Sequence, residues 1–216
     1  MPQRVGIDSM SKDPQAGRWH GDRYEIRLSG SGGQGLILAG IILAEAAGIY
    51  DGRFVAQTQS YGPEARGGVS RSDVIISDEE IDYPKALRFD MLVAMNQKSC
   101  DEYSADLKPS GVLLVDSTFV SEVPMEKAVT IPFTRIARER IGKEFVANIV
   151  FLGTLTEFCP VVSRGAMESA VLGRVPKGTE ELNRAALEAG IEEAIKFKGN
   201  RAGREIPQDY FKLEED

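Results

Sequence analysis

The stretch Tyr24-Glu25-Ile26-Arg27-Leu28-Ser29, Gly30-Ser31-Gly32-Gly33-Gln34-Gly35, Leu36-Ile37-Leu38-Ala39-Gly40-Ile41-Ile42-Leu43 decides how this chain is read. Its first six residues alternate with period two, the pattern of a strand with two different faces. The apolar residues from Leu36 onward recur at helical spacing, and Gly48 is the expected stop. A glycine cluster sits where one period gives way to the other. Strand, tight turn and helix in that order predict a Rossmann-like opening unit.

Working outward, Phe54–Gln59 and Gly68–Ser77 read as strands. In the second of these Val69, Arg71, Asp73 and Ile75 face one side, and Ser70, Ser72, Val74 and Ile76 the other. Between the two lies Tyr61-Gly62-Pro63-Glu64-Ala65-Arg66-Gly67-Gly68, too rich in turn residues to be regular. Asp90–Met95 and Val112–Asp116 are short apolar runs, separated by a helical Lys98–Leu107 and a Pro109-Ser110-Gly111 turn. Such alternation argues for βαβ crossovers. A strand follows at Ala128–Pro132, then a basic helix at Thr134–Ile141 and an apolar helix at Phe145–Phe158 stopped by Pro160. Two more helices, Ser163–Leu172 capped by Ser163 and Thr179–Lys196, complete the series. The expected class is α/β: three layers, a largely parallel or mixed central sheet and a helical C-terminal part. Residues 1–21 read as a polar arm, 22–198 as a single α/β domain and 199–216 as a tail.

At 216 residues with 42% hydrophobic, the chain suits one core. A formal net charge of -7 opposes binding to a phosphate backbone, so nucleic acid is not an expected partner. The longest apolar stretch, Leu36–Ala47, is broken by Gly40 and Glu45 and falls short of the roughly 20 residues of a membrane span. Met1–Gly21 resembles neither a secretory signal nor an anchor, so the expected location is cytoplasmic, away from the membrane. The two cysteines, Cys100 and Cys159, are far apart and read as buried free thiols; the single histidine is His20. That inventory assembles no zinc or iron–sulfur site, and any redox metal is expected from elsewhere.

Gly30, Gly32 and Gly35 fit G-x-G-x-x-G, in which glycines let a strand turn sharply and bring backbone N–H groups up to a phosphate. A dinucleotide site also needs an acidic residue at the end of the second strand, which here reads Phe54-Val55-Ala56-Gln57-Thr58-Gln59. Asp51 precedes that strand. Nucleotide binding, binding of another phosphate and plain close packing all stay open on these residues alone. In the second loop, Glu64 and Arg66 lie between Pro63 and the Gly67-Gly68 pair, and Arg66 with Arg71 has the fork geometry for a carboxylate or phosphate. Loops at the ends of successive strands crowd one edge of an open α/β sheet, where ligands and partners dock.

These residues resemble the gamma subunit of the 2-oxoacid:ferredoxin (acceptor) oxidoreductases, a family with pyruvate, 2-oxoisovalerate, indolepyruvate and 2-oxoglutarate members. The resemblance rests on Gly30–Gly35, on Ser60–Gly68 with Ser70 and Ser72, on Phe89-Asp90-Met91-Leu92-Val93-Ala94-Met95-Asn96, and on Asn148 with Leu152-Gly153. Glu181–Gly190 also fits, and coverage runs over about residues 23–197. It implies one subunit of a complex that oxidatively decarboxylates a 2-oxo acid, with 2-oxoglutarate the best match, to an acyl-CoA while reducing ferredoxin. It further implies thiamine diphosphate and Mg2+ held between alpha and beta subunits, and iron–sulfur clusters held by beta and a ferredoxin-like delta subunit. Coenzyme A is the co-substrate. No catalytic residue and no metal ligand is expected in this chain, which should be inactive alone.

Under the resemblance, Gly30, Gly32, Gly33, Gln34 and Gly35 become a candidate contact for coenzyme A or another phosphate. Tyr61, Gly62, Pro63, Glu64, Arg66, Gly67 and Gly68 become a loop at the subunit seam. Two alternatives stand beside it: a purely structural assembly subunit of that complex, and a free-standing dinucleotide-binding oxidoreductase. Elsewhere, Asn148 is expected to bond neighbouring backbone or reach the seam. Arg135, Arg138 and Arg140 read as a solvated helix face or a dock for acidic partners, and Glu180, Glu181, Glu188, Glu192 and Glu193 as the outer face of a terminal helix.

Overall fold

A computed structural model describes residues 23–61, 69–125 and 128–202. The first strand, β1 (Tyr24–Ser31), runs through the glycine turn into α1 (Leu36–Glu45). Then come β2 (Phe54–Tyr61), β3 (Val69–Ser77), β4 (Phe89–Ala94), α2 (Gln97–Tyr103), β5 (Leu107–Asp116) and β6 (Val129–Ile131). The C-terminal part is α3 (Phe133–Ile136), α4 (Ala147–Phe158), α5 (Arg164–Arg174) and α6 (Glu180–Ala202).

The sheet order is β2-β3-β1-β4-β5-β6. β4 lies parallel to β1, β5 to β4 and β6 to β5, whereas β3 is antiparallel to both β1 and β2. The sheet is therefore mixed, in the expected α/β class. One face carries the larger core, where α1, α4, α5 and α6 bury Ile26, Leu28, Val74, Ile76, Met91 and Val93. The other face is covered by α2 and the segment around Val120 and Ala128, packed on Phe89, Leu92 and Leu113. The row that β1 turns toward this second face is polar: Glu25 and Arg27 are 6% exposed and Ser29 fully buried.

Each of these buried polar groups has a partner, as the cost of an unmet hydrogen bond demands. Glu25 accepts from the backbone N–H of Leu87 at 2.6 Å and from Arg23 Nε at 2.6 Å. Arg27 meets Asp73 of β3 through two N–H to oxygen bonds of 2.7 Å. Ser29 Oγ lies 3.0 Å from Ser99 Oγ in the first turn of α2.

Several boundaries differ from the sequence expectation for identifiable reasons. Gly48 does not end the first helix, which continues as a wider π turn through Ala46–Tyr50; the chain turns instead at Gly52, whose φ is 71°. Gly48 is needed for space, because a Cβ there would stand 2.8 Å from Val55 Cγ2. The helix expected over Lys98–Leu107 ends at Tyr103, and Pro109-Ser110-Gly111 lies inside β5. Between the pairs Phe89↔Leu107 and Met91↔Val112 the register shifts, an irregularity at a proline with no N–H to give the ladder. α6 runs on through Ala202, past Lys196. Ser163 caps α5 as expected, accepting from Ala166 N at 3.2 Å.

Candidate functional site

β1 and β4 lie side by side and parallel, but their chains leave in opposite directions: α1 packs on the larger core and α2 on the smaller. Their C-terminal ends thus form a topological switch point, the place where open α/β sheets leave a crevice. The glycine turn forms one lip. Gly30 admits β4 closely, since a Cβ on it would stand 2.8 Å from Met95 Cβ. Gly33 and Gly35 have φ of 93° and 73°, a region where other residues are strained. Gly32 and Gly33 are exposed, with no atom within 4 Å of a Cβ built on either.

Gln34 ties the turn together. Its Oε1 accepts from Ser31 N at 2.6 Å, and its Nε2 donates to Met95 O at 3.3 Å. Gly35 occupies the cap position of α1, which has no side-chain cap and no acidic residue in its first turn. An uncapped start leaves the positive end of the helix dipole facing the crevice. Asn148 of α4, 4% exposed, donates to Gly35 O at 3.4 Å, so it bonds neighbouring backbone.

The opposite lip is the start of α2. Asn96 is its N-cap, accepting from Ser99 N at 2.8 Å through Oδ1 and donating through Nδ2 to Ser31 Oγ at 2.7 Å. In sequence Asn96 closes the apolar strand Phe89–Asn96, and an Asn between a strand and a helix is also a capping signal.

The register also sets which strand ends share this edge. Ser31 pairs with Val69, Gly30 with Ser70 and Ser70 with Tyr61, so β2 ends and β3 begins at the edge that carries the glycine turn. Tyr61, 67% exposed, stands two strands from Gly30, about 10 Å at ordinary strand spacing. Gly62, Pro63, Glu64, Arg66, Gly67 and Gly68 lie outside the described residues. Arg71 packs over the Tyr103 ring at 5.9 Å, on the smaller-core face.

Asp51, at the opposite end of the sheet from the glycine turn, and Asp116 are both already committed. Asp51 accepts from Ser163 N and Ser163 Oγ, each at 2.8 Å, and so ties the first helical segment to α5. β2 is moreover an edge strand that pairs only with β3, away from the position beside β1 that a ribose-binding strand takes. Asp116, fully buried at the end of β5, accepts from Thr118 N, Thr134 N and Thr134 Oγ1. Arg140 pairs with Glu192 and Glu193, and Arg138 with Glu144 at 3.2 Å. Cys100 and Cys159 are both buried free thiols, and burial pushes Cys159 up to about 12. Among the described residues no three His, Cys, Asp or Glu side chains group to hold a metal ion, and no helix is long and apolar enough to cross a membrane.

A family model described as pyruvate ferredoxin/flavodoxin oxidoreductase matches residues 25–193. The 2-oxoglutarate synthase subunit KorC of Methanocaldococcus jannaschii is 56% identical over 176 residues, covering 80% of this chain and 94% of that protein. Its namesake from Methanothermobacter thermautotrophicus is 52% identical over 178 residues, 79% of this chain and 94% of the relative. Among solved structures, the keto/oxoacid ferredoxin oxidoreductase gamma subunit from Geobacter sulfurreducens PCA matches with a TM-score of 0.74 at 51% identity, over 82% of this chain and 98% of that one. The resemblance carried by the glycine turn, the Ser60–Gly68 block and the late apolar helix is borne out, and the chain belongs to the pyruvate ferredoxin/flavodoxin oxidoreductase family.

Proposed function

We propose that this chain is the gamma subunit of a 2-oxoglutarate:ferredoxin oxidoreductase, a complex that converts 2-oxoglutarate and coenzyme A to the acyl-CoA and CO2 while reducing ferredoxin. The observation that carries the reading is 56% identity, over four-fifths of the chain, with a protein named as a 2-oxoglutarate synthase subunit. Thiamine diphosphate with its Mg2+ belongs on this reading to the alpha and beta subunits, and the iron–sulfur clusters to beta and a ferredoxin-like delta subunit. The gamma chain contributes one wall of the cleft along which coenzyme A reaches the thiamine. The uncapped start of α1 and the bare Gly32-Gly33 backbone suit the phosphates of coenzyme A, being positive in potential and free of side-chain bulk. The loop from Tyr61 to Gly68 meets a partner subunit beside it.

The test is reconstitution of the complex with and without this chain, reading ferredoxin reduction dependent on 2-oxoglutarate and coenzyme A. Omitting the chain should abolish turnover. Gly32→Glu introduces a carboxylate where a side chain has room within this chain, so the subunit folds. A KM for coenzyme A raised about tenfold, equivalent to about 1.4 kcal/mol, is expected, with the KM for 2-oxoglutarate unchanged. If the chain serves assembly alone, the variant complex either falls apart on gel filtration or keeps its coenzyme A dependence.

A further inference from the structure

Ser31 ends β1 at the crevice, partly exposed beside the open Gly32 and Gly33. Its N–H, its carbonyl and one acceptor site of its hydroxyl are bonded, and the directions follow from chemistry alone. The backbone N–H of Ser99 can only donate, so the Asn96 atom 2.8 Å from it must be the carbonyl oxygen Oδ1. The other end of that amide, 2.7 Å from Ser31 Oγ, is therefore the NH2 group. It can only donate, so the Ser31 hydroxyl accepts there. By the same logic the Ser31 N–H is taken by Gln34 Oε1 at 2.6 Å, which turns Gln34 Nε2 toward Met95 O. What remains is the hydroxyl proton, which no other polar group of the described residues takes.

We infer that Asn96 is a positioning residue: by occupying the acceptor side of the Ser31 hydroxyl, it holds that O–H as a donor aimed into the crevice, toward an acceptor oxygen of the bound coenzyme. This rests on the reading of the crevice as the coenzyme A wall. A serine hydroxyl ordinarily rotates to suit whatever is near. Here rotation is restricted, because Asn96 is itself anchored as the cap of α2, and the donor is set before the ligand arrives. Such preorganisation saves the cost of ordering the group on binding.

Asn96→Asp is the discriminating variant. Asp caps a helix as well as Asn does, so the bond to Ser99 N and the start of α2 are retained. Its second oxygen can only accept, so it draws the Ser31 proton inward and removes it from the crevice. In the reconstituted complex we expect Asn96→Asp and Ser31→Ala each to raise the KM for coenzyme A about five- to tenfold, the effect of one lost hydrogen bond. The turnover number and the melting temperature of the subunit should hold. The double variant should be no worse than Ser31→Ala alone, since both changes delete one donor. Additive losses would mean that the introduced carboxylate acts by repelling the coenzyme's charge, and would overturn the inference. So would an unchanged KM in both single variants while Gly32→Glu still raises it, with the coenzyme A reading left standing. If none of the three substitutions moves that KM, both readings fail.

Discussion

Arg27 and Asp73 meet fork to fork across the antiparallel β1 and β3, Nε to Oδ1 and Nη2 to Oδ2, with side chains only 7% and 10% exposed. The guanidinium carbon lies 4.2 Å from the centre of the Phe89 ring and 4.6 Å from that of Tyr103, so its faces are covered as well. Asp73→Ala leaves this cation buried and unpaired, and should lower the unfolding free energy by ~3–5 kcal/mol in urea titration. Replacing both partners, Arg27→Met with Asp73→Leu, should recover most of the loss. A single variant within about 0.5 kcal/mol of the parent would show that water reaches the pair.

Two glycines of the turn should respond differently to the same change. Gly35 has a left-handed φ of 73°, and a Cβ there would stand 2.5 Å from Asn148 Nδ2, so Gly35→Ala is expected to destabilise by ~2 kcal/mol or more. Gly32→Ala, with nothing within 4 Å, should stay within about 0.5 kcal/mol of the parent. Thermal melts of the two variants side by side test the contrast.

α4 and α6 cross at two glycines. A Cβ on Gly153 would collide with Leu187 O and one on Gly190 with Val150 O, while Thr154 Oγ1 donates to Gly190 O at 2.9 Å. The obstacle is backbone in both cases and cannot swing aside. Either Gly→Ala substitution should cost ~1–3 kcal/mol and move α6 outward, detectable as faster amide exchange along that helix.

Alkaline pH should weaken the fold in a defined window. Burial raises the Cys159 thiol from 9.0 to about 12, and raises the Tyr24 hydroxyl as well. Both groups keep their protons in the folded chain after the unfolded chain has begun to lose them, so unfolding releases protons and stability falls as pH rises. For Cys159 the contribution is whole below about pH 9 and is lost progressively between about 9 and 12. Urea midpoints at pH 8, 9.5 and 10.5 should decline, and Cys159→Ala should flatten the decline. An equal slope in that variant would assign the effect to other groups.

The opening strand, turn and helix were legible because the apolar period changes from two to 3.6 at a block of glycines, and local pattern needs no tertiary context there. Strand direction was harder to read. Phe54–Gln59 and Gly68–Ser77 show only that the chain is extended, although the short connection between them is a hairpin signal, since a parallel crossover needs a dozen or more residues. Pro109-Ser110-Gly111 has the composition of a turn, but the irregularity at the proline keeps the segment in the sheet. In the crevice, the glycines were visible by type. The partnership of Ser31 with Asn96 was not, because it spans 65 positions and depends on β1 and β4 becoming neighbours. The commitment of Asp51 to Ser163, 112 positions away, is of the same kind.

The direction of β3 has a consequence for what this scaffold can become. At the crevice edge beside β1, a strand enters where in a dinucleotide fold one would leave, so no residue there is carried outward on a strand end toward a ribose. Grafting a carboxylate onto Gln59 or Tyr61 would place it one strand further out, on β2. Recruitment of this domain to nicotinamide chemistry would thus require rethreading two strands, a step beyond the reach of point mutation.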